Sequence, residues 1–313
     1  MLTFTSNTEN IFTINPKKAP HEISTEFMKD FNKFLKIEPL ERSQLQETID
    51  SAANIFTECV CDVRIVCISD THSKIPNADQ LPRGDILIHA GDLLAGWKTG
   101  VFKPHRIEHF KKIVQQLADL PFQHIILTPG NHDKMLDKNC HAFDQGSLDY
   151  IKNRFPKIKF LVNEELVIKL NVGPGLPNQQ IKVYASPTVC YRNHPVYTIE
   201  DQKPIYAHAL ERGSTEISDN WKKIPDDIDI LVTHGPPLGV GDLNKQGDHC
   251  GCADLLHEIV ERVKPRVHVF GHIHECAGQV FKNEDTVFIN AGVLDQNYDQ
   301  KKEEAVSFEF KFL

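Results

Sequence analysis

The chain lacks the features that would place it in a membrane or on nucleic acid. No apolar run approaches the roughly 20 residues a spanning helix needs; the longest, Val63–Ile68 and Ile228–Val232, are strand-sized. There is no surplus of positive charge: 35 Lys and Arg stand against 43 Asp and Glu, a net charge of −8. Electrostatic attraction to nucleic acid or anionic lipid is therefore not the expected mode of action. The opening residues Met1–Asn7 carry no basic cluster followed by an apolar core, so a cytoplasmic location is expected. No C-x-x-C pair occurs among the 8 cysteines; Cys59/Cys61 and Cys250/Cys252 are C-x-C. We read them as reduced thiols, with a metal or redox role for the C-x-C pairs as the alternative. There is also no internal repeat and no low-complexity tract.

What is present suits a soluble enzyme. Hydrophobic residues make up 40% of 313, enough to bury a large core without staples. Residues 1–60 read as a helical N-terminal extension. Phe27, Phe31 and Phe34 recur at helical spacing, as do Leu45, Ile49, Ala52 and Phe56. Ser43 and Gln46 have the spacing of a capping box. The extension is expected to pack on the main domain, residues 61–313, rather than to fold alone.

From residue 61 onward one pattern repeats. A short apolar, β-branched run ends and a metal-capable residue follows. Val63–Ser69 leads to Asp70-Thr71-His72, and Asp85–His89 leads to Ala90-Gly91-Asp92. His124–Thr128 leads to Gly130-Asn131-His132-Asp133, Ile228–Thr233 leads to His234, and Arg266–Phe270 leads to Gly271-His272-Ile273-His274. Helical patterns at Pro104–Leu120 and Cys252–Val263 separate some of these runs. Strands alternating with helices predict an α/β fold with a largely parallel or mixed sheet. In such sheets ligands collect beyond the carboxyl ends of the strands. Further elements are predicted at Ser147–Phe155 (helix) and at Ile158–Val162, Leu166–Leu170 and Ile181–Ala185 (strands). The irregular stretch 190–214 is read as a lid or binding loop, with a disordered surface insertion as the alternative.

The strand ends supply two carboxylates, one amide and four imidazoles: Asp70, His72, Asp92, Asn131, His234, His272 and His274. These are too many for one ordinary site and suit two divalent ions bridged by a carboxylate. Mixed nitrogen and oxygen donors favour Mn, Fe or Zn over Mg or Ca, with Mn preferred. Two such ions can hold a phosphoryl group and turn a bridging water into hydroxide. Asp70 and His72 are two apart, as are His272 and His274, so an extended exit from the strand points each pair to one side. Gly91, Gly130 and Gly271 precede ligands and allow close backbone approach.

In this order the words resemble the calcineurin-like metallophosphoesterases, and their flanks resemble the metallophosphoesterase-domain-containing branch. The resemblance covers roughly residues 63–293. It implies a two-sheet αββα sandwich and hydrolysis of phosphodiesters, including cyclic nucleotides. It also implies that Asp70, His72, His274 and bridging Asp92 hold one ion, and Asp92, Asn131, His234 and His272 the other. By the same resemblance His132 contacts the phosphate and protonates the leaving group, with Asp133 orienting it. Trp97, Arg192 and His249 are further candidate substrate contacts, while His89 and His268, inside strand runs, are expected to be core. The expected partner is a small phosphoester, not a membrane or nucleic acid. The alternatives are a phosphomonoesterase or protein phosphatase of the same fold, or a binding scaffold without turnover.

Overall fold

A computed structural model describes residues 1–5, 11–52, 61–95, 103–140, 142–170, 179–191, 206–300 and 305–312. Its centre is two sheets packed face to face. The first is built from β4 (Cys61–Ile68), β5 (Ile86–Ala90), β6 (His124–Thr128) and β7 (Ile158–Phe160), all parallel, with the final strand Val306–Phe312 antiparallel against β4. The second has seven strands. Four of them run parallel: Gln179–Ser186, Ile230–Thr233, Val267–Phe270 and Val287–Asn290.

Side-chain alternation explains the layers. Ile65 and Cys67 of β4 face the second sheet, where they meet Val183, Val232 and Val269. Val66 and Ile68 face outward under helices Lys103–Asp119 and Gln145–Arg154, with Phe110, Val114 and Ile151. Leu231 of the second sheet faces the other way, into a cluster with Trp221, Leu255 and Phe31. Both faces of each sheet are buried, so the strands read as continuous apolar runs rather than alternating ones. The layer order is helix, sheet, sheet, helix, the αββα sandwich expected from the sequence.

The first 52 residues depart from a purely helical extension. Helices do form at Thr25–Phe34, capped by the Ser24 hydroxyl on the amide of Phe27, and at Leu45–Ala52. A hairpin, Leu2–Thr5 with Ile11–Ile14, precedes them, and Glu38–Pro39 extends the seven-stranded sheet along Val280–Lys282. Phe4, Met28 and Phe31 lie in the same cluster as Trp221 and Leu255, so this region shares the main core. Ser43 caps nothing: it sits inside a 3-10 turn, Arg42–Gln44, and the Gln46 side chain bonds Asp50 and the backbone of Glu309 instead. Helix Thr215–Trp221, capped by the Ser214 hydroxyl on the amide of Ile217, was not among the predicted elements. Within 190–214, strands Val189–Tyr191 and Ala209–Glu211 pair in parallel, and residues 192–205 lie outside the described ones, so the lid reading is untouched.

Candidate metal centre

The loops after β4, β5 and β6 and those after the second sheet's Ile230–Thr233 and Val267–Phe270 meet at one end of the sandwich. Ser69 pairs with Gly292 across the two sheets there. The loops do not leave their strands extended. Asp70, His72, Asp92 and His272 all have positive φ, 55°, 42°, 54° and 71°. The extended-exit account of the two-residue spacing is therefore wrong. A left-handed turn aims these side chains, and the strain of non-glycine residues in that region is held by surrounding bonds. The amide of Asp70 donates to the Gly91 carbonyl (2.9 Å) and that of His72 to Asp92 (3.1 Å). Asp70 Oδ2 accepts from the His272 amide at 2.9 Å, and Asp92 Oδ1 from the His132 amide at 2.8 Å.

Two glycines are fixed by this crowding. A Cβ on Gly91, at φ 102°, would stand 2.3 Å from His234 Nδ1, and one on Gly271 would stand 2.1 Å from Asp70 Oδ2. Any side chain at either position displaces a candidate ligand.

His72 Nε2 lies 3.1 Å from His274 Nε2, and 3.7 Å from Asp92 Oδ2. His274 Nε2 is 3.6 Å from Asp70 Oδ1. Towards the other side, His234 Nε2 is 3.4 Å from Asp92 Oδ1 and 3.0 Å from Asn131 Oδ1. The His272 ring packs edge-on to His234, centroids 5.1 Å apart. Among the described residues, three groups have donor atoms close enough to share an ion: Asp70, His72 and His274; Asp70, Asp92 and His234; and His72, Asp92 and His132. His132 thus stands nearer the donor set than its role apart from the ligands implied.

The electrostatics suit divalent cations. Asp70 and Asp92 are 1% and 2% exposed. Burial works against the charge on Asp92, yet His234, His132 and His72 hold it well below the usual carboxylate range. Burial opposes charge on His234 as well, but Asp92 and Asp70 carry it up to about 9, so a metal must displace a proton there. Asp70 Oδ1 and His72 Nδ1 are buried with no hydrogen-bond partner among the described residues. A buried carboxylate oxygen without a donor, amid converging imidazoles, fits a divalent ion. Backbone carbonyls fix two rings: His234 Nδ1 meets Ala90 O at 2.9 Å and His274 Nδ1 meets Asp295 O at 3.1 Å, leaving each Nε2 free to ligate.

Asp133 does not do what the sequence suggested. Its carboxylate accepts from the amides of Leu93 (3.1 Å), Leu94 (2.8 Å) and Gly130 (2.8 Å), fully buried. It ties the Asp92 loop to the Asn131 loop, and His132 Nδ1 has no partner among the described residues. Burial, then the charge of Asp92, pushes Asp133 up to about 7 against those three donors. His132 keeps 27% of its side chain exposed, the only reason a substrate can reach it. His249 is 5% exposed, its Nδ1 2.8 Å from Asp242 Oδ1. Trp97 and Arg192 lie outside the described residues. His89 and His268 are buried in their strands, each against a threonine hydroxyl: His89 on Thr71 (3.0 Å) and His268 on Thr233 (2.8 Å).

Sequence reasoning passed over Tyr298, whose ring lies 4.8 Å from that of His72 and 4.9 Å from that of His274. It also passed over Tyr206 and Lys134, the lysine standing 5.3 Å over the tyrosine ring. Lys134 follows the Gly-Asn-His-Asp word by one residue, a signal that was available; the tyrosines lie in irregular segments and offered none.

The family profile for Calcineurin-like phosphoesterase matches residues 63–276. The chain belongs to the calcineurin-like phosphoesterase family. It is 37% identical over 242 residues to human Metallophosphoesterase domain-containing protein 1, covering 75% of this chain and 67% of that protein. It is 34% identical over 245 residues to UPF0046 protein C25E10.12 of Caenorhabditis elegans, covering 74% and 76%. One solved structure superposes with a TM-score of 0.53 at 15% identity, over 74% of this chain and 91% of its own, which bears on the fold alone. As a calcineurin-like phosphoesterase the chain is a phosphoester hydrolase, and its Asp/His clusters are those of a metal-binding site.

Proposed function

We propose that the chain is a dimetal phosphodiesterase acting on small phosphodiesters, with cyclic nucleotides the favoured class. The observation that carries the reading is the convergence of Asp70, His72, Asp92, Asn131, His234 and His274, with His272 beside His234, around one buried spot, while His132 alone keeps an exposed imidazole beside Asp92. One ion fits Asp70, His72, His274 and Asp92; a second fits Asp92, Asn131, His234 and His272. Manganese suits the mixed donors best. Divalent ions bound there supply Lewis acidity towards phosphoryl oxygens and water.

The chain's own residues do the rest. The rigid loops hold Asp92 between both donor groups, so the charge it presents is fixed before substrate arrives. His132, protonated, gives its proton to the departing ester oxygen and steadies the phosphoryl charge. The net charge of −8 favours a small ester over a polyanionic strand. A cytoplasmic location belongs to the same reading, supported by the free thiols of Cys67, Cys190, Cys250 and Cys252 among the described residues.

The test is a panel of cyclic nucleotides, linear diesters and monoesters with added Mn. Preference for diesters supports the reading. Preference for monoesters or phosphopeptides replaces it with a phosphomonoesterase or protein phosphatase. Fewer than about one ion per chain after loading, without turnover, leaves a binding scaffold.

A further inference from the structure

Beyond the last strand of the second sheet, Leu294–Gln300 turns back on itself, with Leu294 and Gln300 bridged. Asp295 organises the turn. Its carboxylate accepts from the amides of Asn297 (2.8 Å) and Asp299 (3.0 Å), and its carbonyl accepts from Tyr298 (2.9 Å). The same carbonyl receives Nδ1 of His274, so one residue fixes a metal-capable imidazole and a tyrosine together. Tyr298 sits at φ 62°, and Lys74 Nζ donates to its carbonyl at 2.5 Å. A tyrosine in the left-handed region, pinned from both sides, is held where its environment puts it rather than where its backbone prefers.

The position is the mouth of the centre. The ring abuts His72 and His274, yet Tyr298 remains 44% exposed, one of few large hydrophobic side chains so exposed among the described residues. At the opposite end, Tyr206 adjoins Ala207, whose amide donates to the carbonyl of Asn131 (3.2 Å). Tyr206 is already engaged: Tyr191 stacks on it at 5.3 Å, and Lys134 Nζ lies 5.3 Å from its ring centroid.

We propose that Tyr298 is a stacking platform for a nucleobase at the mouth of the metal centre. The proposal rests on the phosphodiesterase reading above and narrows its substrate to nucleotides. An exposed aromatic face beside a phosphate site recognises the base's π-surface, and tolerates different bases because each has one. The base lies on the His72–His274 end, and the phosphate falls over Asp92 and His132.

The test compares binding of AMP and ribose 5-phosphate to the Mn-loaded chain by calorimetry; the two share sugar and phosphate and differ by the base. AMP is expected to bind roughly 10- to 100-fold tighter, the range for one stacked base. Tyr298→Phe keeps the gap. Tyr298→Leu, which keeps apolar bulk against the two histidines and the metal content, closes it. No gap in the unaltered chain, or a gap that survives Tyr298→Leu, overturns the proposal. Diester turnover without the gap removes the platform and leaves the phosphodiesterase; the gap without diester turnover does the reverse.

Discussion

The floor and the rim of the centre are built in different ways. The floor is Asp70, Asp92, Asn131 and His234, each at most 2% exposed, each within a few residues of a buried strand end. The rim is His132, Tyr298 and Tyr206, partly exposed and carried on turns. Floor residues are locked by backbone bonds between the two sheets, as His234 is by Ala90. Rim residues are locked by local turns, as Tyr298 is by Asp295. The floor is thus fixed by the topology that makes the fold, and the rim can vary without disturbing it. In such a design metal binding falls to the floor and contact with the substrate to the rim.

The sharpest way to break the distinction is Asp92→Asn. Asp92 reaches both donor groups, 3.7 Å from His72 Nε2 on one side and 3.4 Å from His234 Nε2 on the other. Loss of its charge is expected to weaken both ions and to lower turnover by more than the ~10- to 100-fold typical of changes behind a ligand. Metal content and kcat, measured together, check it. Near-normal turnover with two ions bound removes the bridging role.

His132→Ala tests the boundary, because His132 belongs to the rim by exposure and to the floor by its amide bond to Asp92. The variant is expected to retain metal and to lose roughly 10²- to 10⁴-fold on a nucleotide diester, the usual worth of a general acid. On a nitrophenyl ester, whose leaving group needs no proton, the loss is expected to be clearly smaller. Equal losses on both substrates reduce His132 to phosphate binding. Loss of metal makes it a ligand, as its place beside His72 and Asp92 allows.

Asp133→Asn comes next in size and differs in kind. The carboxylate receives three amides, and an asparagine turns a donor towards one of them. Each buried N–H left unsatisfied costs about 1–3 kcal/mol. The expected result is a lower Tm with no dependence on the leaving group, because Asp133 makes no bond to His132. A leaving-group trend parallel to that of His132→Ala restores a direct link between them.

The difference between floor and rim is also the difference between what the sequence disclosed and what it withheld. Strands buried on both faces write continuous apolar runs, so Val63–Ile68 and Ile228–Val232 marked their own ends, and Asp70 and His234 stood out there. The α/β class followed from the strand–helix alternation, and the αββα layering from the family resemblance. The turn geometry did not follow: nothing local shows that Asp70 and His72 take positive φ, because surrounding loops impose it. The link from Asp133 to His132 was carried over from the family resemblance, whereas the carboxylate turns towards the Leu93 and Leu94 amides. The Leu2–Thr5 hairpin and the Glu38–Pro39 edge strand were hidden because four- and two-residue strands show no period of their own. Tyr298 was hidden for the rim's general reason: a turn residue has neither periodicity nor a motif around it.

The smallest effect on turnover is expected at His268, inside the second sheet. It lies in the middle of strand Val267–Phe270, its Nε2 on the Thr233 hydroxyl, its ring against Phe270 and Phe288. Burial alone pushes its pKa down to about 3. An unfolded histidine titrates near 6.5. As pH falls below about 6.5 the unfolded chain takes up a proton that the folded chain refuses, so stability drops at up to about 1.4 kcal/mol per pH unit from this one residue. The slope persists until pH approaches 3, where the folded ring is protonated too. His268→Gln removes the titration while leaving a group able to meet Thr233. The metal-capable residues contribute their own acid sensitivity to both proteins, so the difference in slope between wild type and variant isolates His268. Urea unfolding at intervals from pH 7 to pH 4 measures it. The variant is expected to lose stability less steeply with acid, with unchanged metal content at pH 7. Identical slopes mean that the folded ring already takes a proton near pH 6, and that the strand interior behind the floor is wetter than its burial implies.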